Sequence, residues 1–181
     1  TLDSNEKGAE ANPPLAECCK GAPPVLEFDQ AGNLLHSWGG PKSAPGLGDW
    51  PESNHGITID GKGNVWVAGN GGNDGQVLKL TKEGKLIKQF GFGYANASST
   101  DTWAFRQPAK TFVDDAKNEV YVSDGYGNHR VVVFGPDGKY LRQFGSVGSG
   151  PDQFTVGDGG HPHCVRIGAD QLVYACDRGQ N

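Results

Sequence analysis

The sequence predicts an all-β protein, a β-propeller of four-stranded blades. Two observations lead to this prediction: a unit of short strands recurs along the chain, and the turns between strands are rich in Gly and Asn. The 181 residues include 29 Gly without a collagen period, as expected for many tight turns. Strand segments are β-branched and aromatic, and helical periodicity is weak. A repeated unit of four antiparallel strands is typical of a propeller blade.

Two complete copies of the repeat occupy residues 55–91 and 108–145. In the second copy, "TFVD", "VYV" and "DGKYLRQFG" follow "ITID", "VWV" and "EGKLIKQFG" of the first by 54 or 55 residues. The turns "GKGN" and "PDGK" place Gly or Asn where a hairpin needs a positive φ. Each copy is therefore predicted to form one blade.

Incomplete copies flank these blades. Residues 25–40 match only the second half of the repeat, and residues 161–181 match only the first half. We interpret residues 25–181 as a partial propeller, preceded by an N-terminal loop segment at residues 1–24. The total of about three blade equivalents is below the roughly four to eight blades of a closed propeller. Because unpaired edges would be left in water, we expect further sequence or another chain to complete the ring.

Composition excludes some partners. The net charge is −5, and 16 Lys and Arg residues are spread along the chain, which argues against a nucleic-acid partner. No run approaches the ~18 apolar residues of a membrane span. The chain contains no Met, even at its first position, so we expect a processed product or a fragment. Removal of a signal peptide would explain this, and we expect a secreted or periplasmic protein.

The four cysteines do not match the usual zinc-site spacings, because Cys18 and Cys19 are adjacent. Disulfides formed in an oxidising compartment are expected instead. Cys164 and Cys176 lie on two predicted strands joined by the turn "GADQ", so a cross-strand bridge and a pair of buried thiols are both open. Asn96 begins the sequon "NAS", which matters only in a source that glycosylates.

The blade sequence "VYVSDGYGNHRVVVF", followed by "DGKYLRQFG", resembles the NHL repeat, whose pattern is D-x-x-N-x-R before an apolar strand. Over about residues 23–181, the order of motifs is most similar to the catalytic propeller of peptidyl-α-hydroxyglycine α-amidating lyase and its bacterial relatives. That family has six blades, a zinc ion held by three His, a structural calcium, and a catalytic Tyr and Arg. It cleaves α-hydroxyglycine-extended peptides into a peptide amide and glyoxylate.

The resemblance implies particular site residues. His55 in "HGITIDGKGNVWV" and His163 in "HPHCVRI" match the first two zinc ligands. The backbone carbonyl of Ile57 would help to hold calcium. Tyr126 in "DGYGNHR" and Arg178 in "ACDRGQN" match the catalytic pair. In this family's mechanism, zinc binds the hydroxyl group of a peptide substrate, the Tyr takes its proton, and an Arg holds the carboxylate.

The positions of the two His residues favour a metal site, although structural roles remain open. Both begin innermost strands, where imidazole suits zinc and three protein ligands leave one open position. The equivalent residue of the intervening blade is Ala109, as expected for a site that uses alternate blades. His161 is an alternative to His163, since it lies two residues away on the same strand face. Arg178 has an alternative role as a turn residue paired with Asp177.

The turn "DGYGNHR" divides into structural and chemical candidates. Asp124 and Asn128 are predicted to bond backbone amides, and Arg130 is predicted to bridge neighbouring blades. His129 is predicted to be solvated. The turn is one residue longer than the plain repeat, which re-aims a side chain and favours a chemical role for Tyr126 over that of an exposed loop residue.

Departures from the family keep other functions open. Gly127 replaces the family's Cys beside the Tyr, so that family disulfide is absent. The third zinc His and a further Arg would fall outside the 181 residues. Two alternatives to the zinc lyase are a non-catalytic NHL propeller that binds a protein or ligand, and a propeller hydrolase or lyase that uses calcium in the same channel.

Overall fold

The structure, a computed structural model, describes four ranges of the chain: 21–40, 49–93, 96–155 and 162–179. These ranges contain fourteen β-strands, and none of them contains a helix long and apolar enough to cross a membrane. Outside the described residues lie most of the predicted loop segment 1–24 and the residues Cys18, Cys19 and His161.

The described strands form successive antiparallel sheets along the chain. The first sheet has two strands, β1 (Val25–Phe28) and β2 (Leu34–Trp38). A four-stranded sheet follows, paired in sequence order: β3 (Asn54–Ile59), β4 (Val65–Gly69), β5 (Gln76–Leu80) and β6 (Leu86–Gly91). The next four-stranded sheet has the same order: β7 (Lys110–Asp114), β8 (Glu119–Asp124), β9 (Arg130–Phe134) and β10 (Tyr140–Phe144). Four shorter strands complete the series: β11 (Ser146–Val147) pairs parallel with β12 (Gln153–Phe154), and β13 (Cys164–Ile167) pairs antiparallel with β14 (Val173–Cys176).

Turn chemistry explains the regular strand lengths. Gly63, between β3 and β4, has φ +81°, and Gly138, between β9 and β10, has φ +84°. Only residues that tolerate the left-handed region close such turns without strain. The two four-stranded sheets confirm the prediction of an all-β fold made of propeller-type blades. We call the β3–β6 sheet the first full blade and the β7–β10 sheet the second.

Apolar faces of neighbouring sheets pack against each other, which removes their side chains from water. One cluster joins the β1–β2 sheet to the first full blade around Val25, Val65 and Leu78. Another joins the second full blade to the β13–β14 sheet around Tyr121, Val133 and Val165. Between the full blades lie Trp66, Ala68, Val77, Phe90, Phe105, Val120, Val122, Val132 and Phe134. As a result, β7 lies beside both β3 and β13. Each of these three strands is the first of its sheet, and together we call them the innermost strands.

Arg130 bridges the two full blades, as predicted. It is fully buried, and its Nε donates to Asp124 Oδ2 at 2.9 Å. Its Nη1 donates to the carbonyl oxygens of Ser99 at 2.9 Å and Asp101 at 2.6 Å, and its Nη2 donates to that of Ala104 at 3.1 Å. One guanidinium therefore fixes the segment that connects the blades.

Two details of this turn differ from prediction. The Asn128 side-chain amide donates to Asp124 Oδ2 at 2.8 Å, where we predicted a bond to a backbone amide. The buried carboxylate needs donors, and the amide lies four residues away on the same turn. His129 is half-buried rather than solvated, and its φ of +56° lies in the left-handed region.

Candidate functional site

Four predicted residues from four chain segments meet at one end of the innermost strands. Tyr126 Oη lies 3.0 Å from His55 Nε2 and 3.2 Å from His163 Nε2. The two Nε2 atoms are 3.2 Å apart. Arg178 Nη1 lies 3.2 Å from Tyr126 Oη and 3.0 Å from His163 Nε2. We call this group the His–Tyr–Arg cluster.

His55 is positioned by a close approach of β3 to β7. The pairing of β3 with β4 shifts register between Asn54 and Gly56, a bulge that re-aims the side chain between them. A Cβ on Gly56 would lie only 2.3 Å from the Ala109 carbonyl oxygen, so glycine permits this approach. His55 Nδ1 then reaches that oxygen at 2.9 Å. The intervening blade thus orients the imidazole through its backbone.

A disulfide ties together the segments that carry His163 and Arg178. Cys164 and Cys176 are direct partners across β13 and β14, with a Cα–Cα distance of 5.0 Å, and they are bonded. Of the two states left open by the sequence, the structure has the bridge. His163 N also donates to the Cys176 carbonyl oxygen at 2.8 Å, which extends the strand pairing into the site.

Tyr126 is held by the long turn between β8 and β9. Asp124 Oδ1 accepts from Arg106 N at 2.8 Å, and Gly127 N donates to the Arg106 carbonyl oxygen at 3.1 Å. A Cβ on Gly127 would lie 2.3 Å from Arg106 Cγ, so the turn packs closely on this segment. The extra residue of the turn therefore presents Tyr126 to the two imidazoles.

Hydrogen-bond chemistry assigns the protons of the imidazoles. The Ala109 carbonyl oxygen can only accept, so His55 Nδ1 donates and Nε2 of the neutral ring carries a lone pair. Arg178 can only donate, so His163 Nε2 accepts and also presents a lone pair. Two accepting nitrogens thus lie 3.2 Å apart, with the Tyr126 hydroxyl within reach of His55 Nε2 and Arg178 donating to His163 Nε2.

Arg178 contributes positive charge to the cluster. Its Cζ lies 5.5 Å from the centroid of the Tyr126 ring, within range of a cation–π contact. The Asp177 carboxylate accepts from Thr155 N at 2.9 Å and from Gly179 N at 3.1 Å. The side chain of Arg178 points at the cluster, which favours the chemical role over that of a simple turn residue.

The spacing of the two imidazoles fits a zinc site. Zinc binds imidazole nitrogen at about 2.0–2.1 Å in tetrahedral geometry, which separates two ligating nitrogens by about 3.3 Å. The observed 3.2 Å agrees. Within the described ranges, however, no group of three His, Cys, Asp or Glu side chains is arranged to hold a metal. The structure therefore brings together the two histidines that the sequence predicted as zinc ligands, and their role as ligands stays a prediction.

Ile57 follows His55 on β3 and is not among the four residues of this cluster. Its side chain is 50% exposed and lines a groove along the innermost strands. The residues that line this groove include Lys110 and Arg166 but no carboxylate. Calcium takes six to eight oxygen ligands, and carboxylates are common among them, so the calcium site expected at the Ile57 carbonyl stays a prediction. The sequence did not point to this groove, because it arises where three strands from different repeats meet.

Comparisons with known proteins agree with the repeat. The family model of the NHL repeat matches residues 105–134. Rat peptidylglycine alpha-amidating monooxygenase is 38% identical over 130 residues, which cover 67% of this chain and 12% of that protein. Mouse NHL repeat-containing protein 3 is 30% identical over 164 residues, which cover 87% of this chain and 43% of that protein. The probable peptidyl-alpha-hydroxyglycine alpha-amidating lyase of Caenorhabditis elegans is 31% identical over 129 residues, which cover 68% of this chain and 34% of that protein.

A solved structure supports the fold. A catalytically inactive virginiamycin B lyase from Staphylococcus aureus with quinupristin aligns with a TM-score of 0.50 and 14% identity, covering 84% of this chain and 41% of that chain. The class is therefore an all-β protein with propeller blades that carry an NHL repeat. Within this class, the chain is similar to the amidating monooxygenases and lyases, of which it spans well under half the length.

Proposed function

We propose that this chain is part of a zinc-dependent C–N lyase that converts a peptidyl-α-hydroxyglycine into a peptide amide and glyoxylate. The observation that carries the proposal is the pair of imidazole lone pairs, 3.2 Å apart, with a tyrosine hydroxyl and a guanidinium on the same atoms. Without a metal, Tyr126 can donate to His55 Nε2 while Arg178 donates to His163 Nε2. A zinc ion would instead take both lone pairs directly, at a separation that suits its tetrahedral geometry.

The names of the relatives support the same chemistry. Two of the proteins compared above are named amidating monooxygenase and amidating lyase. This chain spans only 12% and 34% of their lengths, so we attribute their activity to it only as a proposal. The Cys164–Cys176 disulfide supports a secreted or periplasmic location, where such bonds persist.

In the proposed site, His55 and His163 would hold zinc through their Nε2 atoms, together with a third ligand from outside the described residues. When bound, zinc would supply a Lewis acid that favours deprotonation of the substrate's α-hydroxyl group. The hydrogen bond from His55 Nδ1 to the Ala109 carbonyl fixes the tautomer that metal binding requires. In this proposal the chain supplies two zinc ligands and also fixes the orientation of one of them.

Tyr126 is the proposed base. In its phenolate form, its oxygen would accept the hydroxyl proton of the substrate, and the N–H of Arg178 would stabilise the charge on that oxygen. The electron pair of the O–H bond would form the C=O bond of glyoxylate while the C–N bond breaks. The departing amide nitrogen would take up the proton. Atoms and charge balance without water or a redox partner.

Arg178 also has donors left for the substrate. Among the described residues, it contacts Tyr126 and His163 through Nη1 alone. Nη2 and Nε are therefore available to bind the substrate's carboxylate, a role that guanidinium groups perform well because their N–H groups match carboxylate geometry. This contact would orient the α-hydroxyl group towards Tyr126.

A non-catalytic ligand-binding propeller is the second candidate. It is favoured by the similarity to NHL repeat-containing protein 3, which covers 87% of this chain. In that case, the His–Tyr–Arg cluster would be a hydrogen-bonded part of the channel wall. The two candidates differ in zinc content and in the release of glyoxylate.

Tyr126→Phe separates chemistry from metal binding. We expect the rate of glyoxylate release to fall by about 10²–10⁴-fold, the usual contribution of a positioned base, while zinc content stays unchanged. The measurements are a glyoxylate assay on an α-hydroxyglycine peptide and elemental analysis of the same preparation. Tyr174→Phe is the matched control, because it removes a hydroxyl that bonds Asp170 on an exposed turn. Full activity in Tyr126→Phe, or a wild-type protein without zinc, would reject the proposal.

A further inference from the structure

A groove of about 210 Å³ runs along the innermost strands β3, β7 and β13, and one of its lining residues, Ile57, lies two residues after His55 on β3. Two basic side chains line it, Lys110 on β7 and Arg166 on β13. Its walls include Ile57, Ile59 and Phe112. We call this feature the cationic groove.

The charges of the groove are not balanced by acids. None of the residues that line it is Asp or Glu, and in the described part of the chain neither Lys110 nor Arg166 forms an ion pair. The Arg166 guanidinium lies 5.9 Å from the Phe112 ring centroid, a cation–π contact that steadies its plane but leaves its N–H edges unused. Two unpaired cations on one wall attract an anionic group.

The groove lies within reach of a substrate held at the cluster. Lys110 directly follows Ala109, whose carbonyl oxygen accepts from His55. Ile57 follows His55 by two residues, which is about 7 Å along a strand. An extended peptide covers the same length with two residues. A side chain one or two positions before the reacting glycine would therefore reach the groove.

We propose that the cationic groove binds an acidic side chain of the substrate, one or two residues before the hydroxyglycine. This inference rests on the proposed lyase function for the direction of the peptide, and it assigns Lys110 and Arg166 to substrate specificity. The groove selects a carboxylate over a neutral amide, because a charge-assisted contact with a cation is stronger than a neutral one.

Equilibrium binding tests the groove without any turnover. The probes are acetyl-Glu-Glu-Gly and acetyl-Gln-Gln-Gly, which differ only in the charge of two side chains and contain no hydroxyl group to react. We expect isothermal titration calorimetry to show about tenfold tighter binding of the acidic peptide in 50 mM salt. The preference should shrink in 500 mM salt, where the screening length is shorter.

Variants identify the residues responsible. Lys110→Gln and Arg166→Gln should each reduce the preference to about threefold or less, and Lys110→Arg should retain it because the charge remains. Lys139→Gln is the matched control, since it removes the same charge from an exposed turn of the second full blade. Equal affinity for the two peptides in the wild-type protein, or a preference that survives both Gln variants, would overturn the assignment. So would Ca²⁺ that competes with the acidic peptide for the groove.

Failure of the groove and failure of the lyase proposal give different results. If the protein prefers the acidic peptide but releases no glyoxylate from any α-hydroxyglycine peptide, the groove stands and the lyase proposal fails. If glyoxylate is released with the same kcat/KM from Glu-containing and Gln-containing substrates, the lyase stands and the groove is rejected.

Discussion

Two carboxylates of the second full blade have pKa values that are shifted in opposite directions. Arg142 donates to Glu119 Oε1 at 2.7 Å and to Oε2 at 2.8 Å, and this pairing lowers the pKa of Glu119 to about 2. Burial raises the pKa of Asp124, although the Arg130 guanidinium opposes this rise. Ionisation of Glu119 therefore contributes to stability, whereas burial disfavours ionisation of Asp124 and the ion pair with Arg130 offsets part of that cost.

The stability supplied by Glu119 should depend on pH. Its pKa is lowered from 4.5 to about 2, so its contribution is present above pH 4.5 and is lost as the pH falls towards 2. We expect Glu119→Gln to reduce the free energy of unfolding by about 1 kcal/mol at pH 7, a value discounted for the partly exposed pair. Urea unfolding at pH 7, 4.5 and 3 measures this difference.

A double-mutant cycle with Arg142→Gln provides the control for Glu119. The coupling between the two residues should be present at pH 7 and should diminish at pH 3, because at pH 3 the unfolded chain carries a proton on Glu119 that the folded protein does not hold. Coupling that stays constant over this range would contradict an ionic origin. Tyr121, whose pKa is raised to about 12 by burial and by the bond to Glu119, stays neutral throughout.

Single residues of the cluster were easier to predict than their surroundings. His55, Tyr126, His163 and Arg178 stand in recognisable motifs, and the structure brings their side chains together. The orienting role of the Ala109 carbonyl was missed, since a backbone oxygen leaves no trace in a side-chain pattern. Contacts made through the backbone depend on how closely two blades approach.

At the scale of elements, equivalent turns of the two full blades are held by different bonds. In the second full blade, Arg130 crosses to the connecting segment and pairs with Asp124. The first full blade has Gln76 in the position of Arg130, and its Nε2 donates to the Asp49 carbonyl oxygen at 2.9 Å. There, Asp74 accepts from Glu52 N at 2.8 Å. The repeat predicts the strands. The bonds between blades depend instead on which residues of the neighbouring segment pack against each turn.

The element formed by β13 and β14 should depend on its disulfide. Cys164→Ser combined with Cys176→Ser should lower the free energy of unfolding by about 2–4 kcal/mol, because the unfolded chain gains freedom. The affinity for zinc should also fall, since His163 and Arg178 flank the two cysteines. Thermal unfolding and zinc titration measure the two effects.

Reduction of the wild-type protein is the matched control for this pair of substitutions. A thiol reductant should lower the Tm of the wild-type protein to that of the double variant, and it should leave the variant unchanged. A wild-type Tm that does not respond to reduction, although the bond is cleaved, would show that the bridge does not contribute to stability.

At the scale of the whole molecule, the His–Tyr–Arg cluster joins separate sheets. His55 belongs to the first full blade, Tyr126 to the second, and His163 and Arg178 flank the β13–β14 sheet. A ligand held by the two imidazoles would therefore add a cross-link between sheets that already meet through apolar faces and hydrogen bonds. Binding to the folded state alone stabilises it by mass action.

Zinc should consequently stabilise the fold as well as the site. At a free zinc concentration about 100 times the Kd, the expected gain is about 2.7 kcal/mol, which corresponds to a rise in Tm of roughly 5–10 °C for a chain of this size. His55→Ala or His163→Ala should abolish most of this rise, because either change removes one of the two described ligands. His36→Ala is the control, since its imidazole pairs with Glu27 on the β1–β2 sheet, away from the cluster. An equal rise in all four proteins would place the zinc elsewhere, and no rise in the wild-type protein would favour the hydrogen-bonded channel wall of a binding propeller.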